Sequence, residues 1–326
     1  MTEMPQTSTV TFHPEIAAQL KGRDLLALVD YTPEEIQYLI DFAIELKAKQ
    51  EAGEVYHPLK GKTLGMIFEK SSTRTRVSFE VGMYQLGGHA LFLSRNDLQI
   101  GRGEPIWDTG QVMSRYLDGI MIRTFGHKNV IDIARAATIP VINGLTDLSH
   151  PCQALADYQT IQEKKGPLKG LKIAYIGDGN NMAHSLMMGA AKLGMHIAVA
   201  TPEGYEPDQE VTELSIEHAA LNGGKVTLTH NPKEAVADAD VIYTDVWASM
   251  GFEEEQAARE KAFADFQVDE SLTELAKPDY LFMHCLPAHR GEEVSEGVID
   301  GDNSVIYDQA ENRLHAQKAI LAALMG

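Results

Sequence analysis

Ser71-Ser72-Thr73-Arg74-Thr75-Arg76 gathers four hydroxyls and two guanidinium groups into six residues. The apolar run Thr63 to Phe68 precedes it and reads as a buried strand. Val77, Phe79, Val81, Met83 and Leu86 follow with helical spacing, closed by Gly87-Gly88. The polar segment therefore sits where a strand gives way to a helix. The first turn of a helix leaves N–H groups unpaired and carries a partial positive charge. Hydroxyls and guanidinium groups added there make an anion site, and a doubly charged phosphate would use all of it. A helix cap alone needs one hydroxyl and one N–H.

Other chemistry-bearing residues follow apolar runs in the same way. Arg123 ends Ile120-Met121-Ile122, so its stem starts in the core. His150-Pro151-Cys152-Gln153 opens a helical pattern with proline at its first position and His150 at the cap. An imidazole there can donate to an oxygen gaining negative charge, or simply cap with a structural partner; these four residues do not decide between the two. Gly177-Asp178-Gly179-Asn180-Asn181-Met182 resembles the start of a dinucleotide fingerprint. Met182 stands where the third glycine belongs, and the next strand ends in Thr201-Pro202 without the acidic residue that binds a ribose. Asn180 or Asn181 can instead hold a carboxylate. Asp245 ends a strand and can pair with an ammonium, and Ser249-Met250-Gly251 suits a lid. His284-Cys285-Leu286-Pro287 ends another strand. Alternation puts His284 and Cys285 on opposite faces, which denies the thiol a base. Arg313 in Glu311-Asn312-Arg313 can return a guanidinium to the cleft. No histidine has metal-ligand spacing and Cys152 and Cys285 are isolated, so no metal and no cofactor are expected.

These residues need a scaffold of strands alternating with helices. Strands are predicted at 63–68, 90–94, 119–124, 140–144, 172–177, 196–201, 225–229, 241–246, 281–286 and 305–307. Helices are predicted from Thr32, with Glu35 completing a capping box, and near 73–86, 106–117, 129–137, 151–165, 183–193, 208–221, 233–237, 255–264, 271–276 and 311–324. Residues 1 to about 22 read as a loose arm. The fold class is α/β: two doubly wound parallel-sheet domains joined by helices, 1–150 and 151–310, with helix 311–326 packing back on the first. In such sheets ligands lie beyond the carboxyl ends of the strands, where each cluster above sits. The chain has 326 residues, 44% of them hydrophobic, and a net charge of -19. That charge argues against nucleic acid, and an anionic substrate must be captured by local arginines. Two cysteines do not make a disulfide framework, no run spans a bilayer, and the first twenty residues hold no Lys or Arg, so the cytoplasm is the expected compartment.

Taken together the chain resembles a carbamoyltransferase from end to end. Ser72-Thr73-Arg74-Thr75, His150-Pro151-Cys152-Gln153 and His284-Cys285-Leu286-Pro287 match that superfamily's signatures, and Asp245 with Ser249-Met250-Gly251 matches its ornithine branch. The resemblance implies that Ser72, Thr73, Arg74 and Thr75, with Arg123, hold carbamoyl phosphate. Thr75, Arg123 and His150 would polarise its carbonyl, Gln153 would bind its amide, and Arg313 would touch the carbonyl region. Gln99 would reach the phosphate of a neighbouring subunit, which implies a homotrimer or a multiple of it. Asn181 would hold the carboxylate of L-ornithine. Asp245, Ser249 and Met250 would hold its α-ammonium end. Cys285 and Leu286 would contact carbamoyl phosphate and line the path of the attacking amine. The products would be L-citrulline and phosphate, in arginine biosynthesis or, run backwards, arginine catabolism. Putrescine or N-acetylornithine is the alternative acceptor. A nicotinamide-dependent oxidoreductase and a non-catalytic phosphoanion-binding module are rivals from other classes.

Overall fold

The computed structural model of the chain describes residues 14–248 and 255–326. Helix α1 (Pro14–Leu20) lies where a loose arm was expected; Leu20, fully buried, holds it to the core. Helix α2 (Pro33–Glu51) begins at the predicted capping box: Glu35 N donates to Thr32 Oγ1 at 3.2 Å and Thr32 N to Glu35 Oε2 at 2.9 Å. There follow β1 (Thr63–Phe68), α3 (Thr73–Gln85), β2 (His89–Ser94), α4 (Ile106–Met113), β3 (Gly119–Arg123), α5 (His127–Ala136) and β4 (Val141–Leu145). The connecting helix is α6 (Pro151–Lys165). The second half runs β5 (Lys172–Ile176), α7 (Asn181–Lys192), β6 (His196–Ala200), α8 (Gln209–Asn222), β7 (Lys225–Thr229), α9 (Pro232–Val236) and β8 (Val241–Thr244). It continues through α10 (Gln256–Ala262), α11 (Glu270–Thr273), β9 (Leu281–His284), α12 (Glu296–Ile299) and α13 (Ile306–Met325).

The strands form two sheets, ordered β2-β1-β3-β4 and β7-β6-β5-β8-β9, and every pair is parallel. In the first, the chain leaves β1 to one side and returns on the other as β3; in the second, β5 and β8 do the same. Neighbouring connections there run to opposite sides, which opens a crevice at the strand ends.

The predicted strand 305–307 is not formed. Val305 caps α13, and only Ser304 bridges back to Phe282. Its apolar residues Val305 and Ile306 are buried as a helix start rather than an edge. The final helix thus begins five residues earlier than expected. It packs on α2, α6 and α3, and its Ala319, Ile320 and Leu321 join a core cluster that also contains Met121 of β3 and Tyr243 of β8. Burying an apolar side chain of this size stabilises by about 1.5–3 kcal/mol, so this shared cluster fastens the two sheets together.

Candidate active site

The ends of β1, β3, β5, β8 and β9 converge on one cavity of about 410 Å³ between the two sheets. On the first sheet's side, Ser72 caps α3: its Oγ accepts from Thr75 N at 3.2 Å and donates to Thr75 Oγ1 at 3.1 Å. Ser72, Thr73, Arg74 and Thr75 all line the cavity, as does Lys70, whose ammonium lies 4.3 Å from the centre of the Phe125 ring. Arg76 does not. It turns outward to Glu80 at 3.0 Å and stacks 3.8 Å over Phe92, so the segment supplies one guanidinium rather than two. Val77, placed on the apolar stripe by its spacing, is also exposed; Phe79, Met83 and Leu86 form the buried face.

Arg123 ends β3 and is buried, with Nε lacking a hydrogen-bond partner among the described residues. Burial, then the Arg313 and Arg74 guanidinium groups, push it down to about 9. Three cations crowd one wall, and a dianion between them would relieve all three. Arg313, on α13, is 3% exposed and donates to Gln153 Oε1 at 2.7 Å, Thr75 Oγ1 at 3.1 Å and Gln317 Oε1 at 2.9 Å. His150 caps α6 by its backbone position alone: its N–H donates to Ser185 Oγ at 2.8 Å and Nδ1 has no hydrogen-bond partner among the described residues. Burial, then Arg313, Arg123 and Arg74, hold the imidazole well below its ordinary pKa, so it is neutral at pH 7. Its side chain makes no cap hydrogen bond, and the ring stands as a neutral imidazole beside three cations.

On the second sheet's side, Asp245 follows β8. Its Oδ1 accepts from Val246 N at 2.8 Å and from the Cys285 thiol at 3.1 Å, and its Oδ2 accepts from Asn180 Nδ2 at 2.9 Å. Burial, then Asp245, push the Cys285 thiol well above its ordinary range. Both asparagines were candidates for a carboxylate. Asn180 is spent: its oxygen caps α7, accepting from Met182 N at 2.9 Å and Ala183 N at 3.3 Å, and its amide holds Asp245. Asn181 lines the cavity and donates to Thr146 O at 2.6 Å. Gly179 faces its own chain. A Cβ there would lie 2.3 Å from Pro207 N, so the glycine admits the 205–207 turn rather than a pyrophosphate.

β9 stops at His284, so Cys285 begins a turn and strand alternation does not separate the two side chains. Potential ligand atoms of Asp245, His284 and Cys285 lie within 4.8 Å of one another. What keeps His284 from serving Cys285 as a base is that both imidazole nitrogens are engaged: Nδ1 accepts from Leu286 N at 2.8 Å and Nε2 faces Glu293 Oε1 at 3.1 Å. The same engagement leaves His284 no lone pair for a metal. Leu286 lines the cavity with φ 59, in the left-handed region, ahead of a cis Pro287. Gln99 is exposed and outside this cavity, and Ser249 and Met250 lie outside the described residues. Lys70 and Asp157, whose Oδ1 accepts from Gln153 Nε2 at 2.8 Å, escaped the sequence reading. Lysine beside the anion segment and the four-residue spacing of Gln153 and Asp157 were the available signals; the other partners of Asp157, Tyr243 and Gln309, are far away in the chain.

Comparison with known proteins accords with this geometry. The sequence-family model for the "Aspartate/ornithine carbamoyltransferase, carbamoyl-P binding domain" matches residues 23–163, and that for the "Asp/Orn binding domain" matches 169–324. The chain belongs to the aspartate/ornithine carbamoyltransferase family. The ornithine carbamoyltransferase of Anoxybacillus flavithermus is 65% identical over 307 residues, covering 94% of this chain and 98% of that protein. That of Oceanobacillus iheyensis is 64% identical over 307 residues, covering 94% and 95%. Among solved structures, ornithine carbamoyltransferase from Pyrococcus furiosus superposes with a TM-score of 0.92 at 62% identity, covering 94% of this chain and 98% of that one. The carbamoyltransferase family thus accounts for both sheets and the helix that returns between them.

Proposed function

We propose that this chain transfers the carbamoyl group of carbamoyl phosphate to the δ-amine of L-ornithine, giving L-citrulline and phosphate. One observation carries the reading: Arg74 of α3, Arg123 of β3 and Arg313 of α13 share a single cavity with Asp245 and Cys285. The first group suits a dianion carrying an acyl centre, the second an ammonium-bearing acceptor. The high identity to relatives named ornithine carbamoyltransferase favours L-ornithine over putrescine or N-acetylornithine.

The first sheet with α13 takes the donor and the second sheet the acceptor. Phosphate binds at Ser72–Thr75 with Arg74 and Arg123, which offsets the repulsion among the guanidinium groups. Gln153 receives the carbamoyl amide. Asn181 holds ornithine's carboxylate and Asp245 its α-ammonium, with Ser249 and Met250 completing that end. The neutral δ-amine passes Cys285 and Leu286 and attacks the carbonyl carbon. Charge gathers on the carbonyl oxygen, where Arg123, Thr75 and neutral His150 donate to it; losing one such donor costs about 3–4 kcal/mol in the transition state. The C–O bond to phosphate then breaks, and the departing phosphate carries away the proton that the nitrogen loses.

Gln99 completes the phosphate site of a neighbouring subunit in a trimer. Exposure of Leu91 and Phe92 on the edge strand β2 supports an assembly on that side. No helix among the described residues is long and apolar enough to cross a membrane, and the cytoplasm is the proposed compartment.

The test is a citrulline assay with carbamoyl phosphate and L-ornithine, run beside putrescine and N-acetylornithine. Ornithine should be preferred, since putrescine has no carboxylate for Asn181 and acetylation removes the charge Asp245 pairs with. Preference for either rival would overturn the acceptor assignment.

A further inference from the structure

Beneath the cavity lies a carboxylate that lines none of it. Asp157, two turns from His150 along α6, is fully buried. Its Oδ1 accepts from Gln153 Nε2 at 2.8 Å and from Gln309 Nε2 at 2.7 Å, and its Oδ2 accepts from Tyr243 OH at 3.1 Å. Gln309 belongs to α13 and Tyr243 to β8, so one side chain joins three elements. The consequence for Gln153 is specific. An amide has a donor end and an acceptor end, and either can face a cleft. Asp157 takes the donor end and Arg313 takes the acceptor end, so the Gln153 amide has one orientation. Its oxygen is then the end turned to Arg313, which lines the cavity, the polarity needed to accept from an –NH₂ group.

We propose that Asp157 is a positioning residue for the donor substrate, setting the orientation of the Gln153 amide so that the site accepts a carbamoyl –NH₂. The inference rests on the proposed reaction and adds a residue to it. Asp157 touches neither substrate. A neutral acceptor of the same shape would serve Gln153 as well: in Asp157→Asn, Oδ1 still accepts from both glutamines while the new amide meets Tyr243. Removing the acceptor frees Gln153 to turn its amide nitrogen toward the substrate, donor against donor.

Three variants test this by steady-state kinetics: Asp157→Ala, Asp157→Asn and Gln153→Ala, with the double alanine variant. Citrulline formation by the unaltered chain is the control; its absence would remove the reaction itself, separately from this proposal. Asp157→Ala should lower kcat/KM for carbamoyl phosphate by roughly 10- to 100-fold, the range for one hydrogen bond to a charged group, mainly through KM and with the ornithine KM little changed. Asp157→Asn should recover most of that loss. In the Gln153→Ala background the Asp157→Ala change should cost less than about 3-fold, because residues acting through one another are not additive. Equal losses in both backgrounds would overturn the proposal, as a general structural role predicts them. So would failure of Asp157→Asn to recover, or full activity in Asp157→Ala. Should Asp157→Ala not fold, Asp157→Asn decides: near-normal KM for carbamoyl phosphate is expected, and a loss as large as that of Gln153→Ala contradicts the account.

Discussion

Arg313 Nη2 donates to Thr75 Oγ1 at 3.1 Å across 238 residues of chain. The contact pins the returning helix α13 to the first turn of α3, where the anion segment begins. Arg313→Met should therefore disturb both folding and catalysis. Gln153 and Thr75 lose a charged donor inside the protein, and each such bond is worth about 1.5–3 kcal/mol. A lower urea midpoint with reduced citrulline formation is expected. Unchanged stability would mean that the buried contacts are not what secures α13.

Arg74 should behave differently. It is half-buried and stands among like charges that include Arg123 and Arg313. Arg74→Ala removes repulsion in the free protein and a phosphate partner in the complex. Citrulline formation should fall by about 10²–10³, the effect of deleting one preorganised donor, while the melting temperature holds or rises. Undiminished turnover would remove the anion-site argument.

The pH dependence separates the imidazole from the amine. His150 is held well below its ordinary range by burial and three guanidinium groups, so it stays neutral through the neutral and alkaline range. Ornithine's δ-ammonium titrates near about 10, so turnover should rise through the mildly alkaline range. His150→Asn should lower the rate and leave the shape of the profile unchanged. A limb near pH 6.5 that vanishes in His150→Asn would contradict a permanently neutral imidazole.

Cys285 offers a chemical probe. Its thiol is pushed up by burial and by the Asp245 carboxylate, and thiolate is the reactive form. Alkylation by iodoacetamide at pH 8 should be far slower than for a free cysteine, and Cys285→Ala should retain turnover with a higher ornithine KM. Rapid alkylation, or complete loss of activity in Cys285→Ala, would point to a nucleophilic thiol.

Asp157 links the site to stability. Burial pushes its carboxyl up to about 7 against an ordinary value of 3.8, opposed by the Gln153, Gln309 and Tyr243 bonds and by Arg313. The folded state then binds more protons than the unfolded state between those values, so this residue's contribution falls as pH rises from about 4 to about 7. Asp157→Asn removes that fall. Its melting temperature relative to the unaltered chain should climb from pH 5 to pH 8; a constant difference would show that the group does not titrate there.

Much of this was legible because most strands carry a short apolar run with a polar residue at or just past its end. β1, β5 and β7 begin at the expected positions, and Arg123 and Asp245 stand at or just past the ends of such runs. Errors arose where local pattern and tertiary contact disagree. Val305 and Ile306 have strand character but bury themselves as the start of α13. Arg76 and Arg74 look equivalent in sequence, yet two positions along α3 is slightly more than a half-turn, so one faces the cavity and the other Glu80. Asn180 reads as a ligand until its cap is seen. Asp157 shows in sequence only its i,i+4 spacing from Gln153 on α6, because its other partners, at 243 and 309, meet it only in the folded chain.

A crystal structure with a phosphonate analogue of carbamoyl phosphate tests the central claim most directly. The account predicts the phosphonate at the N-terminus of α3, within hydrogen-bond reach of the 73–75 backbone N–H groups, Ser72, Arg74 and Arg123, and the amide end against His150 and Gln153. Phosphonate density anywhere else in the molecule would contradict it.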